Sequence, residues 1–175
     1  MSYDLVHGYS TVTGHHTPLY STKEQVQSTD RAVRILDSIG VPMKKVIIGA
    51  AFYGRVWENV ANINNGLYQA GKFKRGVSFS AMQQFMQEHP GFRQFWDDVA
   101  HAPYLYNMDK QLFLTHDNPL SVSLKTKYAR EKGLGGIMFW QLAEDIPTKA
   151  KLERMEGEKT EGLLDAIYKA AHHAN

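Results

Sequence analysis

Two short apolar runs along the chain have the pattern of strands that are buried on both faces. Residues 45–52 carry a β-branched Val-Ile-Ile run followed by small residues, and residues 135–142 read Gly-Gly-Ile-Met-Phe-Trp-Gln-Leu. Continuous apolar runs of this length are typical of a parallel sheet, in which helices cover both faces. Each run ends in aromatic side chains. Those rings either form a floor for a polar, planar ligand or pack as ordinary core residues, and this pattern alone leaves both interpretations open.

The N-terminal part of the chain predicts a strand, a loop and a helix before the first buried run. Residues 1–6 read as a strand, and a polar loop follows. Ser21 and Glu24 have the spacing of a capping box, and the apolar positions after them recur at helical spacing until Gly40. A strand, a helix and a second strand in this order form a βαβ unit, which favours a parallel sheet and an α/β fold.

Residues 58–115 depart from this pattern. A turn-rich stretch with several Asn and Gly residues leads into a short amphipathic helix over residues 80–88. Residues 102–107 and 111–115 alternate on either side of a polar turn, which predicts a hairpin. The segment is typical of antiparallel α+β structure, and we interpret it as a small subdomain inserted into the parallel pattern.

After the hairpin the α/β pattern resumes. Ser121 is a candidate cap for a helix that ends at Gly133, just before the second buried run. A charged stretch then reaches Thr160, and a last amphipathic helix follows from Leu163. The sequence therefore predicts three parts: residues 1–57, residues 58–115 and residues 116–175.

The composition is ordinary for a soluble globular protein, with 43% hydrophobic and 22% charged residues. The net charge is +2 and charges of both signs are mixed, which argues against a surface dedicated to nucleic acid or membrane. The absence of cysteine excludes disulfides, thiolate metal sites and cysteine nucleophiles. No apolar run approaches the ~18 residues that span a bilayer, and the N-terminus lacks the pattern of a signal peptide.

His15 and His16 are neighbours in the polar loop. Adjacent side chains diverge, and no carboxylate lies at ligand spacing, so we interpret the pair as loop polarity rather than as a metal site. We expect the protein to need no metal and no organic cofactor.

Three stretches of the chain resemble motifs of glycoside hydrolase family 18, the chitinases and their relatives. MSYDL at residues 1–5 is similar to the sixth-strand motif M-x-Y-D, and KVIIGAAFYGRVW at residues 45–57 to the seventh-strand motif K-x-x-x-G-x-x-x-Y-G-R-x-W. GGIMFWQLAED at residues 135–145 is similar to the eighth-strand motif G-G-x-M-x-W-x-x-x-x-D. Residues 58–115 lie where many members carry a chitinase insertion domain. The resemblance implies the last three βα units of a TIM barrel, whose strand carboxyl ends open on the catalytic face.

One family motif has no match. The fourth-strand signature D-x-x-D-x-D-x-E ends in the glutamate that acts as general acid, and the acidic pairs Asp97-Asp98 and Glu144-Asp145 have different spacing and neighbours. We therefore expect this chain to be a truncated product or a fragment that is inactive alone. Because a partial barrel leaves exposed strand edges, we also expect it to need a partner, either the missing N-terminal half of the barrel or a second copy.

The resemblance implies a substrate-assisted retaining mechanism, an exception to the scheme with two carboxylates. Tyr3 and Asp4 would be the catalytic residues of this chain: the Tyr3 hydroxyl aligns the acetamido oxygen of the sugar, and Asp4 holds the distorted ring. Substrate-binding roles are implied for five further residues: Met1, Tyr53, Arg55, Trp57 and Trp140. Trp57 is equally compatible with core packing, and Arg55 with an ion pair to the inserted segment.

The function that the resemblance favours is the substrate-binding C-terminal part of a chitinase, acting on β-1,4-linked N-acetylglucosamine chains. One alternative is a non-catalytic, chitin-binding lectin that has lost the acid. Another is an endo-N-acetylglucosaminidase of the same family, although such enzymes often lack the insertion, and a third is a truncated product without function. By resemblance, the full-length protein is expected to be secreted or periplasmic.

Overall fold

The computed structural model describes residues 1–146 and 161–172. Most of the charged stretch before Thr160 lies outside these residues. Within the described part of the chain, no helix has the length and apolar character needed to cross a membrane. The described helices are α1 (Thr29–Ser38), α2 (Met82–Glu88), α3 (Pro119–Glu131) and α4 (Leu163–His172). The described strands are β1 (Ile47–Ala51), β2 (Tyr53–Glu58), β3 (Lys72–Ser78), β4 (Phe92–Asp97), β5 (Ala102–Asn107), β6 (Leu112–Thr115) and β7 (Gly136–Trp140).

Strands β1 and β7 form a parallel pair whose carboxyl ends lie at one level. The register runs from Ile47 opposite Gly136 to Ala51 opposite Trp140. This register confirms the two predicted strands and their parallel pairing. Side chains of α1 and α3 pack around Ile48 on one face of β1. The expectation that β1 is buried on both faces is only partly right, because Ile47 is 54% exposed in the described residues.

The second sheet is antiparallel and has the strand order β3-β2-β6-β5-β4. The chain passes from β1 to β2 through the single residue Phe52, so one continuous stretch links the two sheets. The predicted hairpin is confirmed as β5 and β6. Helix α2 packs on one face of this sheet against Val56 and Leu105, and the other face carries an aromatic cluster that includes Trp57 and Phe113.

The strand predicted over residues 1–6 is wrong. The segment lies beside β1 without a strand ladder, and the Ser2 side chain replaces one, since its hydroxyl donates to Gly49 O and accepts from Gly49 N, both at 2.9 Å. Asp4 has a φ of 59°, which is incompatible with extended backbone. Because the Ser2 hydroxyl bonds to the N–H and C=O groups of Gly49, the edge of β1 needs no further ladder here. The backbone can therefore turn at Asp4, which brings the carboxylate to the site.

The predicted helix caps are also corrected. Helix α1 begins at Thr29, and its cap is Ser28, whose side chain accepts from Arg31 N. The capping box predicted at Ser21 is therefore wrong. Helix α3 is capped by Asn118, with Ser121 as the reciprocal partner inside the helix rather than as the cap itself. Spacing alone does not distinguish these alternatives, because Ser and Asn are frequent in turns as well as at caps.

A fully buried ion pair joins α3 to the end of β1. Lys125 Nζ donates to both carboxylate oxygens of Asp117, each at 2.8 Å, and to the Thr17 hydroxyl. Asp117 also accepts from the Ser121 hydroxyl at 2.6 Å and from Ala51 N at 3.0 Å. Burial works to raise the pKa of Asp117, but Lys125 and these donors outweigh it, so the pKa lies below its usual range. One carboxylate therefore holds α3, the N-terminal segment and the end of β1 together.

We expect Lys125→Met to lower the free energy of unfolding by about 3–5 kcal/mol, because removal of one partner leaves a buried charge without compensation. Urea unfolding monitored by circular dichroism measures the change. Lys127→Met is the matched control, since Lys127 lies on the same helix and is exposed. Equal stability of the two variants would contradict the role given to the pair.

Candidate functional site

The N-terminal segment and the carboxyl ends of β1 and β7 bring most of the predicted site residues together. Gly49 permits the close approach, because a Cβ at this position would lie 2.8 Å from Tyr3 Cε1. The Tyr3 ring meets the Tyr53 ring edge to face, with centroids 6.1 Å apart. Arg55 follows on β2, and Trp140 is the last residue of β7. The site therefore lies where the parallel pair ends and the antiparallel sheet begins.

The Asp4 carboxylate is the centre of the site. Its Oδ1 accepts hydrogen bonds from the Tyr53 hydroxyl at 2.8 Å and from Arg55 Nε at 2.6 Å, and its Oδ2 accepts from Arg55 Nη2 at 2.7 Å. Two parallel bonds from one guanidinium fix both the position and the plane of the carboxylate. Arg55 thus pairs with Asp4, and not with a carboxylate of the inserted segment.

The charges of this group are stable over a wide pH range. Burial works to raise the pKa of Asp4, but contacts with His16, Arg55 and Tyr53 outweigh it and hold the pKa well below its usual range. The bond to Asp4 raises the pKa of Arg55. Burial, and then the neighbouring carboxylate, raise the pKa of the Tyr53 hydroxyl, which therefore stays protonated as a donor. The site presents a fixed anion held by a fixed cation.

The Tyr3 hydroxyl has a weak partner. Among the described residues its acceptor is Met138 Sδ at 3.9 Å, and a thioether is a poor acceptor. Burial raises the pKa of this hydroxyl, and the Asp4 charge acts in the same direction, so Tyr3 is a donor at neutral pH. A ligand carbonyl oxygen beside it would be a better acceptor than the sulfur.

The three outer residues predicted for the site have different environments. Trp140 is 53% exposed. Met1 is 84% exposed, so it does not fill space in the described structure. Trp57 is fully buried in the aromatic cluster, and its Nε1 donates to Ser10 O at 3.0 Å. A buried indole cannot stack on a ligand. The packing interpretation of Trp57 therefore holds, and its substrate-binding role is wrong.

The interpretation of His15 and His16 as loop polarity is also wrong. Both side chains are fully buried, because residues 13–19 cross the interior. His15 Nε2 lies 3.0 Å from Asp97 Oδ2, and His16 Nδ1 lies 3.5 Å from Asp4 Oδ1. Irregular segments carry no hydrophobic period, so no sequence signal indicates that these residues are internal.

The arrangement suits an uncharged ligand with an apolar face and polar edges. Asp4 Oδ2 accepts only one bond in the described structure and can accept another. Together with the Tyr3 hydroxyl and the exposed Trp140 ring, it offers an acceptor, a donor and a stacking surface. Among the described residues, no group of three or more His, Asp or Glu side chains has the geometry of a metal site.

Comparison with known proteins identifies relatives of this chain. Residues 1–145 match the model for "Glycosyl hydrolases family 18". Chitinase A1 of Niallia circulans is 33% identical over 163 residues, which cover 83% of this chain and 23% of that protein. The solved structure of a family 18 N-acetylglucosaminidase from Paenibacillus barengoltzii is 36% identical, with a TM-score of 0.80, and covers 97% of this chain and 47% of that one.

A cell-surface-expressed, multi-modular chitinase from Paenibacillus sp. str. FPU-7 is similarly close in structure. It is 31% identical with a TM-score of 0.85, and the likeness covers 99% of this chain and 20% of that one. The chain thus spans less than half the length of these relatives. The likeness shows an α/β fold of the TIM-barrel type.

Two buried histidines, His16 beside Asp4 and His116 directly after β6, predict a loss of stability in acid. Burial lowers the pKa of His16 and lowers that of His116 to about 4, whereas an unfolded histidine titrates near ~6.5. Between these values the unfolded chain binds more protons, so stability is complete above about pH 6.5 and falls as the pH drops towards 4. We expect His116→Asn to remove part of this slope, up to about 3 kcal/mol between pH 7 and pH 4. Urea unfolding at several pH values measures it, and an identical slope in the variant would contradict the assignment.

Proposed function

Because this chain belongs to family 18 of the glycosyl hydrolases, we propose that it is the substrate-binding C-terminal part of a chitinase. The proposed substrate is a chain of β-1,4-linked N-acetylglucosamine. The observation that supports this most is the contact of Asp4 with Tyr53 and Arg55, beside the weakly bonded Tyr3 hydroxyl. Two motifs that are far apart in the sequence supply these groups to one place, and Met138 of the third motif is the partner of the Tyr3 hydroxyl.

The proposal includes a division of the chain. Residues 1–57 would contain the segment of the sixth-strand motif, which forms no strand ladder in this structure, and the seventh barrel strand; residues 58–115 would be the chitinase insertion, and residues 116–175 the last barrel unit. The parallel β1–β7 pair and the antiparallel sheet between them in sequence support this division. The chain would then be the last three βα units of the barrel.

The proposed reaction is substrate-assisted and retaining. The acetamido carbonyl oxygen of the sugar before the scissile bond attacks its own anomeric carbon as the glycosidic C–O bond breaks, and the leaving oxygen takes a proton from the general acid. Water then opens the cyclic intermediate and gives a proton back to the conjugate base of that acid. The Tyr3 hydroxyl would exchange its bond to Met138 for a bond to that oxygen and align it for attack. Alignment of reacting groups can contribute on the order of 7 kcal/mol in favourable cases. Tyr3 and Asp4 are therefore the proposed catalytic residues of this chain.

The neighbouring side chains would bind the sugar. Asp4 Oδ2 has room for one more donor, such as the acetamido N–H or a sugar hydroxyl. Arg55 and Tyr53 would hold that carboxylate and line the cleft. The exposed indole of Trp140 would lie under the apolar C–H face of the pyranose, where burial of both surfaces is favourable. Met1 is exposed in this structure, so its side chain would pack beside the acetamido methyl only when a bound ligand covers that side chain.

We propose that the general acid comes from outside this chain, since no position matches the signature that ends in the catalytic glutamate. The missing N-terminal half of the barrel would supply it, and either that half or a second copy would cover the open strand edge. The half-exposed Ile47 on β1 supports a covering partner. We also propose that the full-length protein is secreted or periplasmic, in keeping with the cell-surface expression of one similar chitinase.

We expect this chain to bind N-acetylglucosamine oligosaccharides and Trp140→Ala to weaken binding about fivefold or more, since truncating a central aromatic contact commonly costs over ~1 kcal/mol. Titration calorimetry with the tetrasaccharide of N-acetylglucosamine measures the affinity. Tyr168→Ala is the matched control, because Tyr168 is 60% exposed on α4. Equal loss in both variants would show that Trp140 forms no specific contact.

A hydrolysis assay separates binding from catalysis. With a fluorogenic N-acetylglucosamine oligosaccharide, we expect no release by this chain alone, because the proposed acid is absent. Release of the fluorophore that disappears in Tyr3→Phe would overturn the proposal that the general acid is absent. It would show that a carboxylate of this chain, or of a second copy of it, protonates the leaving group. Binding without release agrees with the proposal, and a glutamate at the fourth-strand position of the full-length protein would then distinguish an enzyme from a lectin.

A further inference from the structure

His16 lies directly below the site carboxylate and has no role in the function proposed above. Its side chain is fully buried, its Nδ1 lies 3.5 Å from Asp4 Oδ1, and its ring centroid lies 5.3 Å from that of Tyr53. Neither ring nitrogen has a hydrogen-bond partner among the described residues, since the contact with Asp4 is too long or poorly aligned to count as one. Buried polar groups without partners are rare and call for an explanation.

The position of the ring is fixed by its backbone. His16 N donates to the Thr115 hydroxyl at 3.2 Å, and His16 O accepts from Leu5 N at 3.0 Å. The second bond ties His16 to the residue that follows Asp4, so the imidazole and the carboxylate cannot separate without a backbone change. Because the side chain is also fully buried, the ring has little room to change its rotamer.

The charge of Asp4 selects one form of this ring. A bare Nδ1 lone pair that faces Oδ1 would be repelled by the carboxylate, whereas an Nδ1–H group is attracted to it. The proton of the neutral ring therefore belongs on Nδ1, and Nε2 is the bare nitrogen. Burial holds the pKa of His16 below its usual range, although the nearby carboxylates act against it, so the ring is neutral at pH 7.

Charged groups from three other segments act on the ring. Asp4 acts from above, with its partners Tyr53 and Arg55, and Asp117 and Lys125 act from the buried ion pair next to α3. His116 is the remaining titratable neighbour. Asp117 and Lys125 act on the ring in opposite directions, whereas Asp4 Oδ1 lies 3.5 Å from Nδ1, so the contact with Asp4 decides the orientation of the imidazole proton.

We propose that His16 is a positioning residue for sugar binding: its Nδ1–H group holds Asp4 Oδ1 from below and leaves Oδ2 to meet the ligand. The inference rests on the proposed function and deepens it. Oδ1 then has two hydrogen-bond donors, from Tyr53 and Arg55, and the attraction of the nearby His16 Nδ1–H group, while Oδ2 has one donor. This asymmetry defines which carboxylate oxygen the sugar meets.

The test compares two substitutions of His16. His16→Asn places an amide N–H near the position of Nδ1 and does not titrate, whereas His16→Leu has similar size and no donor. We expect His16→Leu to weaken binding of the tetrasaccharide roughly tenfold, because small displacements of a positioning group are costly. His16→Asn should restore affinity to within about threefold of the original chain. The melting temperature of His16→Leu should be equal or higher, since the change removes unpaired buried nitrogens.

His15→Leu is the matched control, because His15 is equally buried but contacts Asp97 instead of Asp4. It should lose stability and keep its affinity for the sugar. A purely structural role for His16 predicts the same behaviour in His16→Leu, namely a lower melting temperature with unchanged affinity. That result would overturn the inference.

Two further readouts complete the test. Long-range ¹H–¹⁵N spectra of the imidazole rings at pH 7 should show the Nδ1–H form of His16, and the Nε2–H form would overturn the inference without any sugar present. As the pH falls, affinity should decrease more in the original chain than in His16→Asn, because the charged imidazolium draws Oδ1 down. Failure of the original chain to bind sugar would overturn the proposed function and with it the role of His16. Sugar binding with equal affinity in His16→Leu would overturn the inference alone.

Discussion

The buried ion pair between Asp117 and Lys125 is the interaction on which the site depends. Removing an ammonium and a carboxylate from water costs several kcal/mol per ion, so the pair persists only because other donors complete it. Those donors come from the Thr17 hydroxyl, the Ser121 hydroxyl and the backbone of Ala51. The same carboxylate that neutralises the lysine therefore fixes the end of β1. Phe52 and then β2 follow directly from that fixed point. The buried carboxylate of Asp117 therefore determines where Tyr53 and Arg55 of the site lie.

Above this layer, a second carboxylate organises the surface of the molecule. Asp4 is held by Tyr53 and by two nitrogens of the Arg55 guanidinium, and its backbone adopts a left-handed conformation that surrounding contacts must maintain. Arg55 in turn lies near the faces of the Tyr53 and Phe73 rings, at 5.4 and 5.7 Å. The cation is thus fixed by aromatic contacts as well as by its ion pair. A site built in this way is arranged before a ligand arrives, which reduces the entropy cost of binding.

Sequence reasoning succeeded where the signal was local and failed where a distant partner decided the outcome. The parallel strands, the hairpin and the helix α3 follow from hydrophobic period and turn residues, and the structure confirms them. The strand predicted over residues 1–6 failed because the Ser2 side chain takes the place of a ladder at Gly49. The first helix starts later than predicted because Ser21 bonds to Ser28 and to Val26 O in a turn instead of capping the helix.

The sequence by itself determined the family, through three motifs, and the residue types at the site: a tyrosine, a carboxylate, an arginine and a tryptophan at strand ends. Only the tertiary structure decided which aromatic ring faces solvent, because Trp57 and Trp140 both follow buried strands and differ only in what packs against them. It likewise decided that His15 and His16 are internal and that one of them lies below Asp4. Burial and pairing of this kind depend on contacts between residues that are far apart in the chain. The pattern of hydrophobic and polar residues along the sequence does not specify the distances in space between such residues.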